Sequence, residues 1–369
     1  MVHSNKKRSS VKKRTKTDII ITFGRALTYE NLVEAFRNGA TIVRRSLAFG
    51  TLENQKEQVR LIKKAAREAG VRARILDDSP GFKIRLGLNV IEYKPQVGEV
   101  VELLLKDDQV SEKKIPTVGL NEFVKDIKVG ESIFTVDGQI KLRVIKKLKD
   151  RILCRVEASG CPFEPYRGIN LPESNIKHIS LTNQDIENVK RSVLQPEVEF
   201  FALSFLENPQ DIVRVRQIIA GIEPTRNLKI IAKIETKRGV QNLPRIAKIA
   251  DALMVARGDL KLEMPYSQLF RSQLQIINAA RQSGKYCIVA TEVLMSMLKS
   301  LVPNAAEITA LGYTILCGID AIMVSNETTA GQHPTETVRA IHEIIQDAED
   351  MMKKDPQLCD LLRNKRVIA

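Results

Sequence analysis

A chain of 369 residues, 43% hydrophobic and 28% charged, is longer than one core ordinarily fills, so two domains or a barrel carrying an insertion are expected. Its formal net charge of +14 points to anionic partners, whether phosphorylated metabolites, nucleic acid or acidic surfaces. The lack of tryptophan and the few aromatics argue against stacking platforms for single-stranded nucleic acid.

Residues Met1 to Lys16 carry Lys6, Lys7, Arg8, Lys12, Lys13, Arg14 and Lys16 with no acidic residue, which reads as a solvated disordered tail or a basic arm for phosphate or nucleic acid. From Asp18 the sequence alternates: strand at Ile19 to Thr22, helix at Tyr29 to Asn38, strand at Ile42 to Val43, helix at Leu52 to Glu68 ending on Gly70, strand at Ala73 to Leu76. From about Leu88 to Leu171 the rhythm changes to short alternating segments, among them Val100 to Leu105, Ile133 to Val136, Ile140 to Ile145 and Ile152 to Val156, an inserted all-β module. The earlier rhythm resumes at Thr182, an N-cap with Asp185 three residues on. Strands follow at Phe200 to Phe205, Leu228 to Ile234, Ala252 to Val255, Tyr286 to Ala290 and Ala321 to Val324, and a last helix at Thr335 to Lys353. Three strands before the insertion and five after it predict an α/β fold, a TIM (β/α)8 barrel with an all-β domain inserted after the third strand. The expected boundaries are a tail at 1–16, a discontinuous barrel at 17–87 and 172–354, a β-barrel-like lid at 88–171 and a short tail at 355–369.

Cys154, Cys161, Cys287, Cys317 and Cys359 are odd in number and lack CxxC spacing, against a disulfide framework or zinc site and for a reducing cytoplasm. No apolar run approaches the roughly 20 residues of a membrane span, and the N-terminus lacks the apolar core of a signal peptide.

Sites of such barrels lie at the C-terminal ends of the strands. Lys233 and Glu235, two apart on one strand, face the same way, toward the interior, and Asp259 follows the next strand after the small residues Ala256 and Gly258. Two carboxylates from neighbouring strand ends can hold a hard divalent cation with open positions for substrate oxygens. Arg44 and Arg45 follow strand two, Asp78 and Arg85 strand three, Ser204 strand four, Thr291 and Glu292 strand seven, Ser325 and Glu327 strand eight. Arginine offers bidentate contacts to phosphate and lysine a compact charge, so the set favours metal-assisted chemistry on a small phosphorylated or enolisable acid.

From about Arg14 to Met352 the sequence resembles the pyruvate kinase family. The residues that carry the likeness are IIAKIETKRGVQN, ALMVARGDL with EMP, IVATEVLMSM and GIDAIMVSNETTAGQHP, in the family's order. The resemblance implies the barrel and lid without the family's C-terminal effector domain. It implies Lys233 as catalytic lysine, Glu235 and Asp259 as ligands of Mg²⁺ or Mn²⁺, and backbone donors at Ala256, Arg257 and Gly258 for the carboxylate of phosphoenolpyruvate or pyruvate. Arg44 and Arg85 hold phosphate on this reading, Thr291 sits beside the enol face, and Ser325 and Glu327 match the family's SGET as a relay. A homo-oligomer is expected, and no membrane partner.

The departures are concentrated. The family's RLNFSHG is RRSLAFG here, with Ser46 and Ala48 in place of monovalent-cation ligands and Phe49 in place of a histidine near the nucleotide. The family's DTKGPEIR is DSPGFKIR, which puts Lys83 near Asp78 as a replacement for potassium. TIGP becomes TFGR, with Arg25 in place of proline, and RKGVNLPG becomes YRGINLPE, so the ADP/ATP site is altered. The first expectation is phosphoryl transfer through enolpyruvate without a potassium requirement. Decarboxylation or aldol chemistry of a 2-oxo acid at the same core is a second, and a non-catalytic basic binding protein a third.

Overall fold

The computed structural model describes residues 15–48, 50–106, 110–176 and 181–357. Most of the basic N-terminal run, Phe49, Cys359 and nearly all of the C-terminal tail lie outside the described residues.

Eight parallel strands close a barrel: β1 (Asp18–Thr22), β2 (Ala40–Ser46), β3 (Arg74–Asp78), β4 (Val198–Leu203), β5 (Lys229–Ile234), β6 (Ala252–Ala256), β7 (Tyr286–Ala290) and β8 (Ala321–Met323). Each pairs with its neighbour in sequence, and β1 meets β8 with Asp18 opposite Ala321. Side chains alternate across each strand. Ile20, Ile42, Leu76, Ala202, Ile231, Met254, Ile288 and Met323 fill the interior, while Ile19, Ile21, Val43, Ile75, Phe201, Leu203, Leu253 and Val255 join the layer packed against the helices.

The helices form where the sequence supplies their ends. The Thr28 hydroxyl caps Tyr29–Arg37 by accepting from Asn31 N, and Leu52–Ala69 runs from a capping box of Thr51 and Asn54 to Gly70, whose φ of 73° is the left-handed stop glycine adopts freely. Thr182 and Asp185 form the expected capping box at the head of Asn183–Val193. Between β5 and β6 one amphipathic segment resolves into two helices, Lys237–Gln241 and Leu243–Ile249, the second with Pro244 in its first turn. The last helix, Pro334–Lys354, holds the first described residues: Glu349 accepts from the backbone N–H of Lys16 and Thr17 at 3.0 and 2.7 Å.

At the N-terminal end of the barrel, inward-facing Asp18 accepts hydrogen bonds from Tyr286 at 2.5 Å and from Thr41 at 2.8 Å, and pairs with Arg74 at 2.5 Å. The inserted domain follows β3. Its seven-stranded mixed sheet runs in the order Ile169–Asn170, Ser132–Thr135, Ile140–Lys147, Arg151–Ser159, Val100–Leu104, Lys114–Val118 and Arg85–Leu86. It has an apolar cluster of its own, reaching from Ile84 to Ile176 and including Leu103, Ile115, Leu142, Ile152 and Phe163. The described helices include none long and apolar enough to cross a membrane.

Candidate active site

Strand parity builds the site. Thr22, Arg44, Asp78, Ser204 and Lys233 each lie two residues beyond an interior apolar side chain, namely Ile20, Ile42, Leu76, Ala202 and Ile231, so all five enter the barrel mouth. The Lys233 ammonium is its centre. It donates to Asp78 Oδ1 at 3.0 Å and to Ser204 Oγ at 2.6 Å, and lies 3.2 Å from Glu235 Oε1. Arg44 Nε donates to the other Asp78 oxygen at 2.6 Å, and Arg44 Nη1 reaches Thr22 Oγ1 at 3.4 Å.

Lys233 is 8% exposed, Asp78 and Glu235 2% each. Burial works against the Lys233 charge, but Asp78 and Glu235 outweigh it and hold the ammonium above its ordinary pKa. Burial likewise opposes the Asp78 carboxylate, and Lys233 with Arg44 overcomes it, so that pKa falls. Glu235 goes the other way: burial and the nearby Asp259 charge outweigh Lys233 and raise it. Phe205 N–H donates to Glu235 Oε2 at 2.6 Å from a left-handed backbone, φ 52°.

Asp259 sits in the short helix Arg257–Leu260 directly after β6. Its carboxylate is 2.5 Å from Lys83 Nζ, and this ammonium overcomes burial to lower its pKa. Lys83 is therefore beside Asp259, while Asp78 is taken by Arg44 and Lys233. Among the described residues no three His, Cys, Asp or Glu side chains converge as a complete cation cage. The Asp259 charge reaches Glu235, and Lys233 acts on both, so these two neighbouring carboxylates are the ones that could hold a hard cation with open positions.

The opposite side of the mouth is the turn after β7. Thr291 and Glu292 are both left-handed, φ 66° and 51°, a costly conformation for a β-branched residue that its surroundings must enforce. Gly258 N–H donates to Thr291 Oγ1 at 2.9 Å, and the Arg257 guanidinium bonds the Thr291 and Glu292 carbonyls at 2.6 to 3.0 Å. Glu327 pins the turn from beneath. Fully buried, it accepts from Val293 N at 3.1 Å, Leu294 N at 3.2 Å and Ser325 N at 3.0 Å. Its lone pairs thus go to backbone, and Ser325 is bound to it through its own N–H. Ala256 closes β6 on its interior face.

Arg45 stands apart from the mouth cluster, whereas Arg85 approaches it from the inserted domain, its charge helping to lower the Asp259 pKa. Arg45, opposite in parity to Arg44, points into the helix layer, where it pairs with Asp77 at 2.7 Å in full burial. Arg85 belongs to the inserted domain's sheet, opposite Val118, and its guanidinium meets the Tyr166 carbonyl at 3.1 Å and the Tyr166 ring at 4.6 Å. A cleft of about 470 Å³ lies there, lined by Lys83, Arg85, Asp137, Tyr166 and Arg167.

The profile described as "Pyruvate kinase, barrel domain" matches residues 14–338, most of the chain. The chain belongs to the pyruvate kinase family. Pyruvate kinase of Thermotoga maritima is 32% identical over 339 residues, 91% of this chain and 72% of that protein. Pyruvate kinase of Thermococcus litoralis is 32% identical over 91% of this chain and 70% of its own, and that of Methanocaldococcus jannaschii 31% over the same shares. Within this pyruvate kinase family member, sequence reading placed Lys233, Glu235 and Asp259 together. It read the YRGINLPE segment only as an altered nucleotide site, and it missed the contact of Tyr166 with Arg85 and the bond between Lys83 and Asp259, both of which join segments far apart in sequence.

Proposed function

We propose that the chain is a phosphotransferase acting on phosphoenolpyruvate. The P–O bond breaks, the phosphoryl group passes to an acceptor, and the enolpyruvate left behind takes a proton on its terminal carbon to give pyruvate. The observation that carries this reading is the Lys233 ammonium, held charged inside the mouth between Asp78, Glu235 and Ser204. A fixed cation there needs no reorganisation to meet charge that develops on a transferring phosphoryl group.

Arg44 and Arg85 supply guanidinium forks for the phosphate. Substrate carboxylate takes the N–H groups at Arg257 and Gly258 beside Ala256, and Thr291 stands at the enol face. Glu235 and Asp259 hold Mg²⁺ or Mn²⁺, which when bound supplies positive charge to the phosphoryl oxygens. Lys83 provides a permanent positive charge beside Asp259 in place of potassium. The acceptor is ADP on the family's pattern, at a site altered by Arg25 and Tyr166. Exposed apolar side chains at Tyr266, Phe270, Leu301 and Val302 support a homo-oligomer.

The test supplies Mg²⁺ with phosphoenolpyruvate, with and without ADP, and separately with oxaloacetate, and follows pyruvate. ADP-dependent pyruvate is expected. Pyruvate from oxaloacetate without ADP identifies a 2-oxo acid decarboxylase built on the same enolate core, and no pyruvate in any arm overturns both.

A further inference from the structure

Tyr166 has no part in the phosphate site described above, yet both its carbonyl and its ring meet the Arg85 guanidinium. Its backbone is left-handed, φ 62°, which L side chains seldom adopt. That turn brings its carbonyl to 3.1 Å from Arg85 Nη1 while its half-buried ring lies over the guanidinium carbon at 4.6 Å. The two residues are held in register by backbone. Leu86 N–H donates to Arg167 O at 2.8 Å, Ile169 N–H to Ile84 O at 2.8 Å and Tyr166 N–H to Gly87 O at 3.3 Å, and Arg85 bridges Gly168. These are the chain segments that enter and leave the inserted domain. Gly168 leaves room for the neighbouring Lys83 side chain, since a Cβ there would come within 2.4 Å of Lys83 Cε.

Among the described residues Arg85 has no salt bridge to a carboxylate, although Glu92, Asp137 and Glu164 line the same cleft. Arg167 takes Glu164 and Asp137, and Lys83 takes Asp259. The chemistry of the contact explains its use. A carboxylate, as Asp78 beside Arg44, fixes a guanidinium but offsets part of its charge and occupies one of its N–H groups. An aromatic face and one carbonyl fix it while leaving the charge and the remaining N–H groups for a ligand.

We propose that Tyr166 is the positioning residue for Arg85, a two-sided seat that presents an uncancelled guanidinium to the phosphate of the substrate. The proposal rests on the phosphate-binding role given to Arg85 above. Tyr166 contributes through its ring and its carbonyl, and its hydroxyl is not required.

Two measurements on the full chain test it. The sequence contains no tryptophan, so Tyr166→Trp places a single fluorophore on the guanidinium. Its emission should shift on adding phosphoenolpyruvate with Mg²⁺, and Arg85→Ala in the same background should change the ligand-free emission and remove the response. This arm reads binding without turnover, so it separates a failure of the seat from a failure of the phosphotransferase reading. Inorganic phosphate alone serves as the probe should phosphoenolpyruvate give no shift. In the second arm Tyr166→Leu should raise the phosphoenolpyruvate KM roughly five- to tenfold with kcat little changed, while Tyr166→Phe restores the KM to within about twofold of the parent. The proposal is overturned if the tryptophan emission ignores the loss of Arg85, or if it answers neither ligand. It is overturned equally if Leu binds like Tyr, or if Phe and Leu lose kcat and melting temperature alike.

Discussion

The Lys83 ammonium lies 2.5 Å from an Asp259 carboxylate oxygen, joining the segment that leaves β3 to the one that leaves β6. About a fifth of each side chain is exposed, so the pair faces the mouth and is not sealed in the core. A charge that is covalently part of the chain does not depend on salt. Phosphoryl transfer should proceed at equal rates in sodium, potassium or tetramethylammonium buffers. Lys83→Ala should lose about tenfold or more in rate and recover part of it on adding potassium. A parent enzyme that is inactive without potassium would sink this reading.

Removing the charge from Lys233 strikes three partners at once. Lys233→Met leaves Asp78 and Glu235 as neighbouring buried carboxylates without their shared cation. Phosphoryl transfer should fall by about three orders of magnitude, while Mg²⁺ binding by calorimetry should persist. A variant with more than a tenth of the parent rate would refute the role.

Glu327 gives opposite results under its two readings. As a proton relay, Glu327→Gln should abolish exchange of pyruvate methyl protons with solvent and leave stability alone. As the pin of the Thr291 turn, it should cost about 1–3 kcal/mol, because an amide NH₂ cannot accept from a backbone N–H. We expect a lower melting temperature and a higher substrate KM together, with proton exchange slowed only in proportion to occupancy. NMR of the methyl signal and thermal melting decide the matter.

The Arg45–Asp77 pair predicts a stability effect without a catalytic one. Asp77 Oδ2 also accepts from Ser192 at 2.6 Å, and Arg45 donates to the Gln55 carbonyl at 2.5 Å, so the pair clamps two helices to the barrel wall. Arg45→Ala should cost about 3–5 kcal/mol in urea unfolding by stranding a buried carboxylate. Replacing both residues, Arg45→Met with Asp77→Leu, should recover much of that loss. Equal destabilisation by the single and the double change would refute the clamp.

At the base of the barrel, burial would raise the Asp18 pKa, but hydrogen bonds from Tyr286, Arg74 and Thr41 and the Arg74 charge outweigh it and hold the carboxyl below its ordinary range. A folded-state pKa below the unfolded one contributes stability that is present above the unfolded value, about 3.9, and lost as pH falls through the folded value. Asp18→Asn should therefore be less stable than the parent at pH 7, and the gap should narrow below about pH 4. A gap that stays constant with pH would show that Asp18 does not titrate in folding.

Much of this was legible because a strand has a period of two. That rule put Lys233 beside Glu235, and the same rule separates inward Arg44 from outward Arg45, although the repeated RR in the sequence hides the difference. Glu327 and Ser325 were legible as neighbours of the site, but not as a pin, since two of the three amides that donate to Glu327 lie on the loop after β7. Lys83 and Arg85 fall in a segment without periodicity that crosses from barrel to inserted sheet, so their partners Asp259 and Tyr166 are settled only in three dimensions.

The hydrogen bonds between residues 84–87 and 166–169 also bear on how the barrel forms. β3 must find β4, with Asp78 opposite Ala202, across the whole inserted domain, and closing a loop of that length is entropically unfavourable. Once the insertion has its own core, those bonds clasp its two ends together, and what is left for β3 and β4 to close is one strand–helix–strand crossover through Asn183–Val193. Destabilising the insertion should therefore slow the refolding of the barrel itself: the added domain doubles as an internal splint for the strands it interrupts.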